Sequence, residues 1–177
     1  FCVLNYNDPV LREFGKAPRC KVIFFSSSEE LESGVFLRGD TMIIKENGVE
    51  TPVCTTKDTS LVGMHNYENI MAAIAMTHAM GVPLDTIRQG IKEFTAVEHR
   101  IEFVAEKNGV KYYNDSKGTN PDAAIKAVYA MPSPTILSGG GYDKKSGYDE
   151  WVATFEGRVK ELLLIGKTKY DIAAACD

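Results

Sequence analysis

No stretch of this sequence approaches the ~18 consecutive apolar residues that cross a bilayer as a helix, so no membrane span is expected. Basic residues are also few: 20 Lys and Arg stand against 24 Asp and Glu, a formal net charge of −4. Nucleic-acid recognition calls for a basic face, so a nucleic-acid partner is not expected. Four cysteines, Cys2, Cys20, Cys54 and Cys176, lie far apart with no CxxC pair. That spacing argues against a zinc site and against a disulfide scaffold, leaving reduced thiols in a cytoplasmic protein as the expectation. Three histidines, His65, His78 and His99, lack the HExxH spacing, and no metal ligands are predicted. Neither an initiating methionine nor a basic leader precedes Phe1-Cys2-Val3-Leu4-Asn5, which predicts a section of a longer chain.

What is present is the material of a folded core. Hydrophobic residues make up 44% of the 177, enough to exclude wholesale disorder. Residues 1–5 predict a strand, Asp8-Pro9 an N-cap and first turn of a helix through Phe14, and residues 21–25 a second strand ended by serines. Short β segments follow at 35–37, 42–45 and 50–54. The turn signals Gly39-Asp40 and Asn47-Gly48 separate them, predicting a small antiparallel subsheet on an α/β body. Apolar residues at helical spacing predict a helix over 66–80, closed by Gly81 and Pro83, and another over 83–94 with Leu84, Ile87, Ile91 and Phe94 inward.

A second unit is predicted from residue 97, dividing the chain into 1–96 and 97–177. Strands at 101–106 and 110–114 are joined by Asn108-Gly109, and Asn120-Pro121 opens a helix to Ala130. A strand at 135–137, a glycine-rich loop at 138–146, a helix over 148–155, a strand at 161–165 and a helix over 168–175 complete a Rossmann-like pattern. The fold class is therefore α/β.

Ligands of such sheets bind at the carboxyl ends of the strands. Three loops are so placed: 115–120, 138–146 and 166–168. The first joins Asp115, Lys117 and Thr119 to a helix N-terminus suited to an anion, or is simply a well-capped polar loop. In the second, Gly139-Gly140-Gly141 would let backbone approach a ligand, with Lys144 suited to a carboxylate or phosphate. Neither loop fits GxxxxGK[ST]: Lys144 stands where the second glycine belongs, and before Gly166-Lys167-Thr168 the first glycine position is Glu161. Asn66 and Asn69 share one helix face and could read one ligand edge, or serve in capping. Glu98-His99-Arg100 lies at the junction, where Arg100 could clamp a phosphate or make an ion pair.

Taken in order, Gly63-Met64-His65-Asn66-Tyr67-Glu68-Asn69, Glu98-His99-Arg100-Ile101-Glu102, Tyr113-Asn114-Asp115-Ser116-Lys117-Gly118-Thr119-Asn120-Pro121 and Gly140-Gly141-Tyr142-Asp143-Lys144 resemble the Mur ligases, nearest to their D-glutamate-adding branch. The opening Leu4-Asn5-Tyr6-Asn7-Asp8-Pro9 fits the same family, and the likeness covers essentially the whole chain. The resemblance implies the end of a central ATPase-type domain followed by a Rossmann-like C-terminal domain. It implies a cytoplasmic bacterial enzyme of peptidoglycan synthesis, monomeric at full length. Such an enzyme uses ATP and Mg2+ to join D-glutamate to UDP-N-acetylmuramoyl-L-alanine through an acyl phosphate.

By motif, Asn66 and Asn69 would face adenine and ribose, and Arg100 the nucleotide. Asp115 and Lys117 would contact ribose and phosphates, with Lys117 and Arg100 in catalytic roles. Thr119 and Lys144 would hold D-glutamate. The family's phosphate loop and magnesium ligands are not in this sequence, so the chain alone is expected to be inactive. Gly118, where Ala is commoner in the family, is expected to be harmless. Other amide ligases, another Mur ligase or a folylpolyglutamate synthetase, share the architecture. A non-catalytic Rossmann-like binding module is the reading from a different class.

Overall fold

The chain divides into two compact units, Phe1–Thr95 and Ala96–Asp177. The structure, a computed structural model, describes residues 1–95, 97–142, 145 and 147–176.

Unit one is built on one five-stranded sheet in the order β1-β2-β3-β4-β5. Strand β1 is Cys2–Asn5, β2 Val22–Ser26, β3 Gly34–Arg38, β4 Thr41–Glu46 and β5 Val49–Thr55. The first three run parallel, and β3, β4 and β5 continue as an antiparallel meander. The antiparallel subsheet is thus continuous with the parallel strands. Asn47 and Gly48, both at positive φ, make the tight turn between β4 and β5. Helix α1, Pro9–Phe14, joins β1 to β2 and is capped by Asp8, whose carboxylate accepts from Val10 N and Leu11 N.

Period-two alternation decides the packing. Val35 pairs with Ile44, and both enter one core with Phe25, Met42, Val53 and Cys54. Helix α2, Met64–Ala79, covers that face with Ile70, Met71, Ile74 and Ala75, and α3, Leu84–Glu93, adds Ile87. Phe36 pairs with Ile43 and points the other way, onto Leu31, Tyr6 and Phe24. Both faces are therefore buried; Phe36, Met42, Met71 and Ile74 are each 0% exposed. Each such side chain contributes about 1.5–3 kcal/mol by leaving water. Helix α2 ends in paired bonds, Gly81 N to His78 O and Val82 N to Thr77 O, with Gly81 at φ 81°. Phe94, expected on the inner face, instead caps α3 and is half exposed, because the helix ends at Glu93.

Unit two holds two separate pairs of strands. Strand β6, Glu102–Lys107, and β7, Val110–Asn114, form an antiparallel hairpin. Strand β8, Thr135–Gly141, and β9, Val159–Gly166, run parallel. Helix α4 spans Pro121–Ala130, with Asn120 accepting from Ala123 N. Helix α5 is only Asp149–Val152, continued by a 3-10 turn, and α6 is Lys169–Cys176. Val128, Trp151 and Ile172 from these helices pack with Leu137, Leu162 and Leu164 of the sheet.

Candidate functional site

In unit one the carboxyl ends of β1 and β2 meet the start of α2. Gly63, at φ 97°, precedes the helix and provides no side-chain cap. The turn is closed instead by Asn66, whose Nδ2 donates to Val62 O at 2.7 Å. Asn66 is half-buried and Asn69, one turn on, is exposed. The pair shares a face, and Asn66 is already partly committed to its own helix. A shallow recess of about 210 Å³, lined by Ile44, Glu46, Asn47, Val49, Thr51, His78 and Leu84, lies at the other end of α2. It holds none of the residues singled out by motif.

In unit two the segment 99–102 is bonded directly to the loop 114–118. His99 N donates to Glu102 Oε2 at 2.8 Å, Ile101 N to Asp115 Oδ1 at 3.1 Å, and Lys117 N to His99 O at 3.0 Å. Asn114 Oδ1 accepts from Ser116 N, so its amide nitrogen faces His99 Nδ1, 2.8 Å away. That makes His99 Nδ1 an acceptor and leaves the ring proton on Nε2. These bonds hold a strained backbone. His99 lies at φ 69° and Ile101, a buried β-branched residue, at φ 45°. Such conformations cost about 1–3 kcal/mol each and persist where neighbours impose them. Arg100 sits between the two, exposed, and Lys117 is exposed on the facing loop. Among the described residues neither cation is paired with a carboxylate. Thr119 is exposed at the end of the same loop, its N–H on Lys117 O. Lys144 lies outside the described residues.

No family model matches the chain. Eight curated relatives, all UDP-N-acetylmuramoylalanine–D-glutamate ligases, are 41–51% identical to it over 94–99% of its length. The one from Lachnoclostridium phytofermentans is 49% identical over 174 residues, covering 98% of this chain and 38% of the relative. The chain is thus similar, along nearly its whole length, to one section of these ligases. It spans about two fifths of the length of the relatives it matches.

The fold extends beyond D-glutamate ligases. A solved UDP-N-acetylmuramoylalanyl-D-glutamyl-2,6-diaminopimelate–D-alanyl-D-alanyl ligase from Acinetobacter baumannii matches with a TM-score of 0.68 at 18% identity, over 98% of this chain and 39% of that one. A solved folylpolyglutamate synthase from Thermotoga maritima gives 0.59 at 20% identity, over 94% and 41%.

Two sequence expectations change. Gly139-Gly140-Gly141 is the end of β8, not loop. A Cβ on Gly139 would sit 2.8 Å from the Trp151 ring, and one on Gly140 2.1 Å from Ile165 O. Helix and strand packing, rather than a ligand, accounts for glycine at these two positions. Gly118 is not neutral either. A Cβ there would lie 2.3 Å from Asp115 Oδ2, so an alanine would turn away the carboxylate that holds Ile101 N. Thr168, in the rejected phosphate-loop match, is 2% exposed and accepts from Gly141 N at 3.1 Å. Its hydroxyl thus ties the two strand ends together. Sequence reasoning passed over Asn7, Ser26, Ser27, Glu68 and Asn114. The first three lie at or just past the carboxyl ends of the parallel strands β1 and β2, and that placement was the available signal.

Proposed function

We propose that this chain is the part of a D-glutamate-adding ligase that carries adenine, ribose and phosphate contacts and begins the D-glutamate site. The whole enzyme acts on UDP-N-acetylmuramoyl-L-alanine, D-glutamate and ATP in the bacterial cytoplasm, as a monomer. The observation that carries this reading is the frame of hydrogen bonds joining 99–102 to 114–118, beside which Arg100 and Lys117 are exposed, with no carboxylate partner among the described residues. Two exposed cations on a preorganised backbone suit anionic phosphoryl oxygens, because the backbone that carries them is placed before charge develops.

In this scheme a substrate carboxylate oxygen attacks the γ-phosphorus of ATP and ADP leaves. The amine of D-glutamate then attacks the acyl carbon, the C–N bond forms, and inorganic phosphate leaves with the acyl oxygen. Arg100 and Lys117 neutralise the transferring group. Asp115 accepts from ribose hydroxyls, Asn66 and Asn69 face adenine and ribose, and Thr119 with Lys144 holds D-glutamate. In this reading the magnesium ligands lie mostly outside this section of the enzyme.

The test is ADP release by the full-length ligase containing this sequence, with UDP-N-acetylmuramoyl-L-alanine and a panel of amino acids. D-glutamate alone is expected to support turnover. Activity with a folate acceptor and L-glutamate instead would transfer the chain to the synthetase reading. The isolated chain, which has no GxxxxGK[ST], is expected to release no ADP.

A further inference from the structure

Three polar side chains at the carboxyl ends of β1 and β2, and Glu68 of α2, form one line of hydrogen bonds that the scheme above does not use. Ser26, 0% exposed, donates from Oγ to Asn7 Oδ1 at 2.7 Å. Asn7 Nδ2 donates to Ser27 Oγ at 2.7 Å, and Ser27 Oγ donates to Glu68 Oε1 at 2.6 Å. The carboxylate of Glu68 can only accept, so Ser27 Oγ donates to it and accepts from Asn7 Nδ2, which turns Asn7 Oδ1 to the Ser26 hydroxyl; Ser26 Oγ also accepts from Glu29 N at 2.9 Å. Asn7 is itself fixed by its N–H on Asn5 Oδ1 at 2.9 Å. Every donor points from the sheet toward the helix, and the last acceptor is a carboxylate, which strengthens the final bond.

The line ends on the second turn of α2, the helix whose start has no side-chain cap. Glu68 is the immediate neighbour of Asn69 and two residues from Asn66. A rotation or slide of the helix end moves all three together, since successive residues are fixed about 100° apart around the axis. We propose that Glu68 is a positioning residue for the nucleotide site. Through Ser27 and Asn7 it sets the angle and depth at which α2 presents Asn66 and Asn69 to an adenine nucleotide. The inference rests on the reading of those two amides as nucleotide contacts.

The experiment is steady-state kinetics on the full-length ligase containing this sequence, with Glu68→Ala, Glu68→Gln, Ser27→Ala, the Glu68→Ala/Ser27→Ala double variant, Asn66→Ala and Asn69→Ala. Glu68→Ala is expected to raise the KM for ATP roughly tenfold, with kcat and the KM for D-glutamate within about twofold. Glu68→Gln keeps an acceptor for the Ser27 hydroxyl and is expected to stay within about threefold of wild type. Ser27→Ala should reproduce Glu68→Ala, and the double variant should be no worse than either, as for members of one chain. A purely stabilising role would lower Tm and the active fraction while leaving the KM for ATP unmoved, and that outcome overturns the proposal. If Asn66→Ala and Asn69→Ala leave the KM for ATP unchanged, the nucleotide reading fails and takes this inference with it. If they raise it and Glu68→Ala does not, only the positioning role fails. Should Glu68→Ala not fold, Ser27→Ala, which removes one hydroxyl, decides the matter alone.

Discussion

Unit one buries its sheet on both faces, whereas the β8–β9 pair of unit two is covered on one. In unit one, neighbours Val35 and Phe36 point to opposite sides and are 1% and 0% exposed. In unit two, alternation along paired β8 and β9 puts Leu137, Leu162 and Leu164 under the helices. It leaves Ile136, Leu163 and Ile165 more than half exposed on the other face. The candidate site residues differ accordingly. Asn66 and Asn69 stand on a helix seated on a closed core. Arg100 stands between two strained residues, His99 and Ile101, which hydrogen bonds tie to the loop that carries Asp115 and Lys117. The comparison teaches that preorganisation has two sources here, packing in the first unit and polar cross-links in the second.

Core truncations should break the symmetry between the units most visibly. Ile74→Ala, in the closed core, is expected near the top of the roughly 2–5 kcal/mol range for such changes, and Ile172→Ala near the bottom, because a core with one open side can collapse into the space. Trp151 is the only tryptophan and reports unit two, while far-UV circular dichroism reports both. In urea its fluorescence should change at a lower concentration than the dichroism midpoint. Coincident transitions in wild type and variants would erase the distinction.

Glycines give a finer test. A Cβ on Gly34, at φ 131°, would lie 2.3 Å from the carbonyl oxygen of Phe24, which is backbone and cannot swing aside. Gly34→Ala should cost about 2–4 kcal/mol. Gly118→Ala chiefly displaces the Asp115 carboxylate, with an expected cost of about 0.5–1.5 kcal/mol. The second change should also speed hydrogen exchange at the Ile101 amide, read by NMR. Unchanged protection there would mean that Asp115 does not hold that strained turn.

The smallest effect concerns surface charge. Glu50 is held down to about 2 by hydrogen bonds from Arg38 and then Lys45. A depressed carboxylate stabilises the fold above its ordinary range and loses that contribution as pH falls through the folded value. Unit one should therefore lose a little stability between about pH 4.5 and 2. Glu50→Gln should flatten Tm across that window. The site is exposed, so the change will be slight. An unchanged slope would show that the Arg38 cluster is inert in solution.

Much of the fold was legible because its signals are local. The Asn-Gly turns at 47–48 and 108–109 require positive φ, and Asp8 and Asn120 cap the helices their positions predicted. The same short range misled at Gly139 and Gly140. Three successive glycines look like a ligand loop until Trp151 and Ile165, both distant in sequence, occupy the space where side chains would be. Asn66 and Asn69 stood out by spacing. Glu68, between them, did not, since its partner Ser27 lies 41 residues away.

By itself the sequence determined the order of strands and helices, the hairpin turns, the caps, and the motifs that mark a Mur-type ligase. These depend on backbone preferences and on residues a few positions apart. Only the tertiary structure decided that the parallel and antiparallel strands form one sheet and that the triple glycine serves packing. It also decided that His99, Asn114 and Asp115 hold a strained backbone beneath Arg100. Those outcomes rest on contacts between residues far apart in the chain, whose distances exist only once the chain has folded.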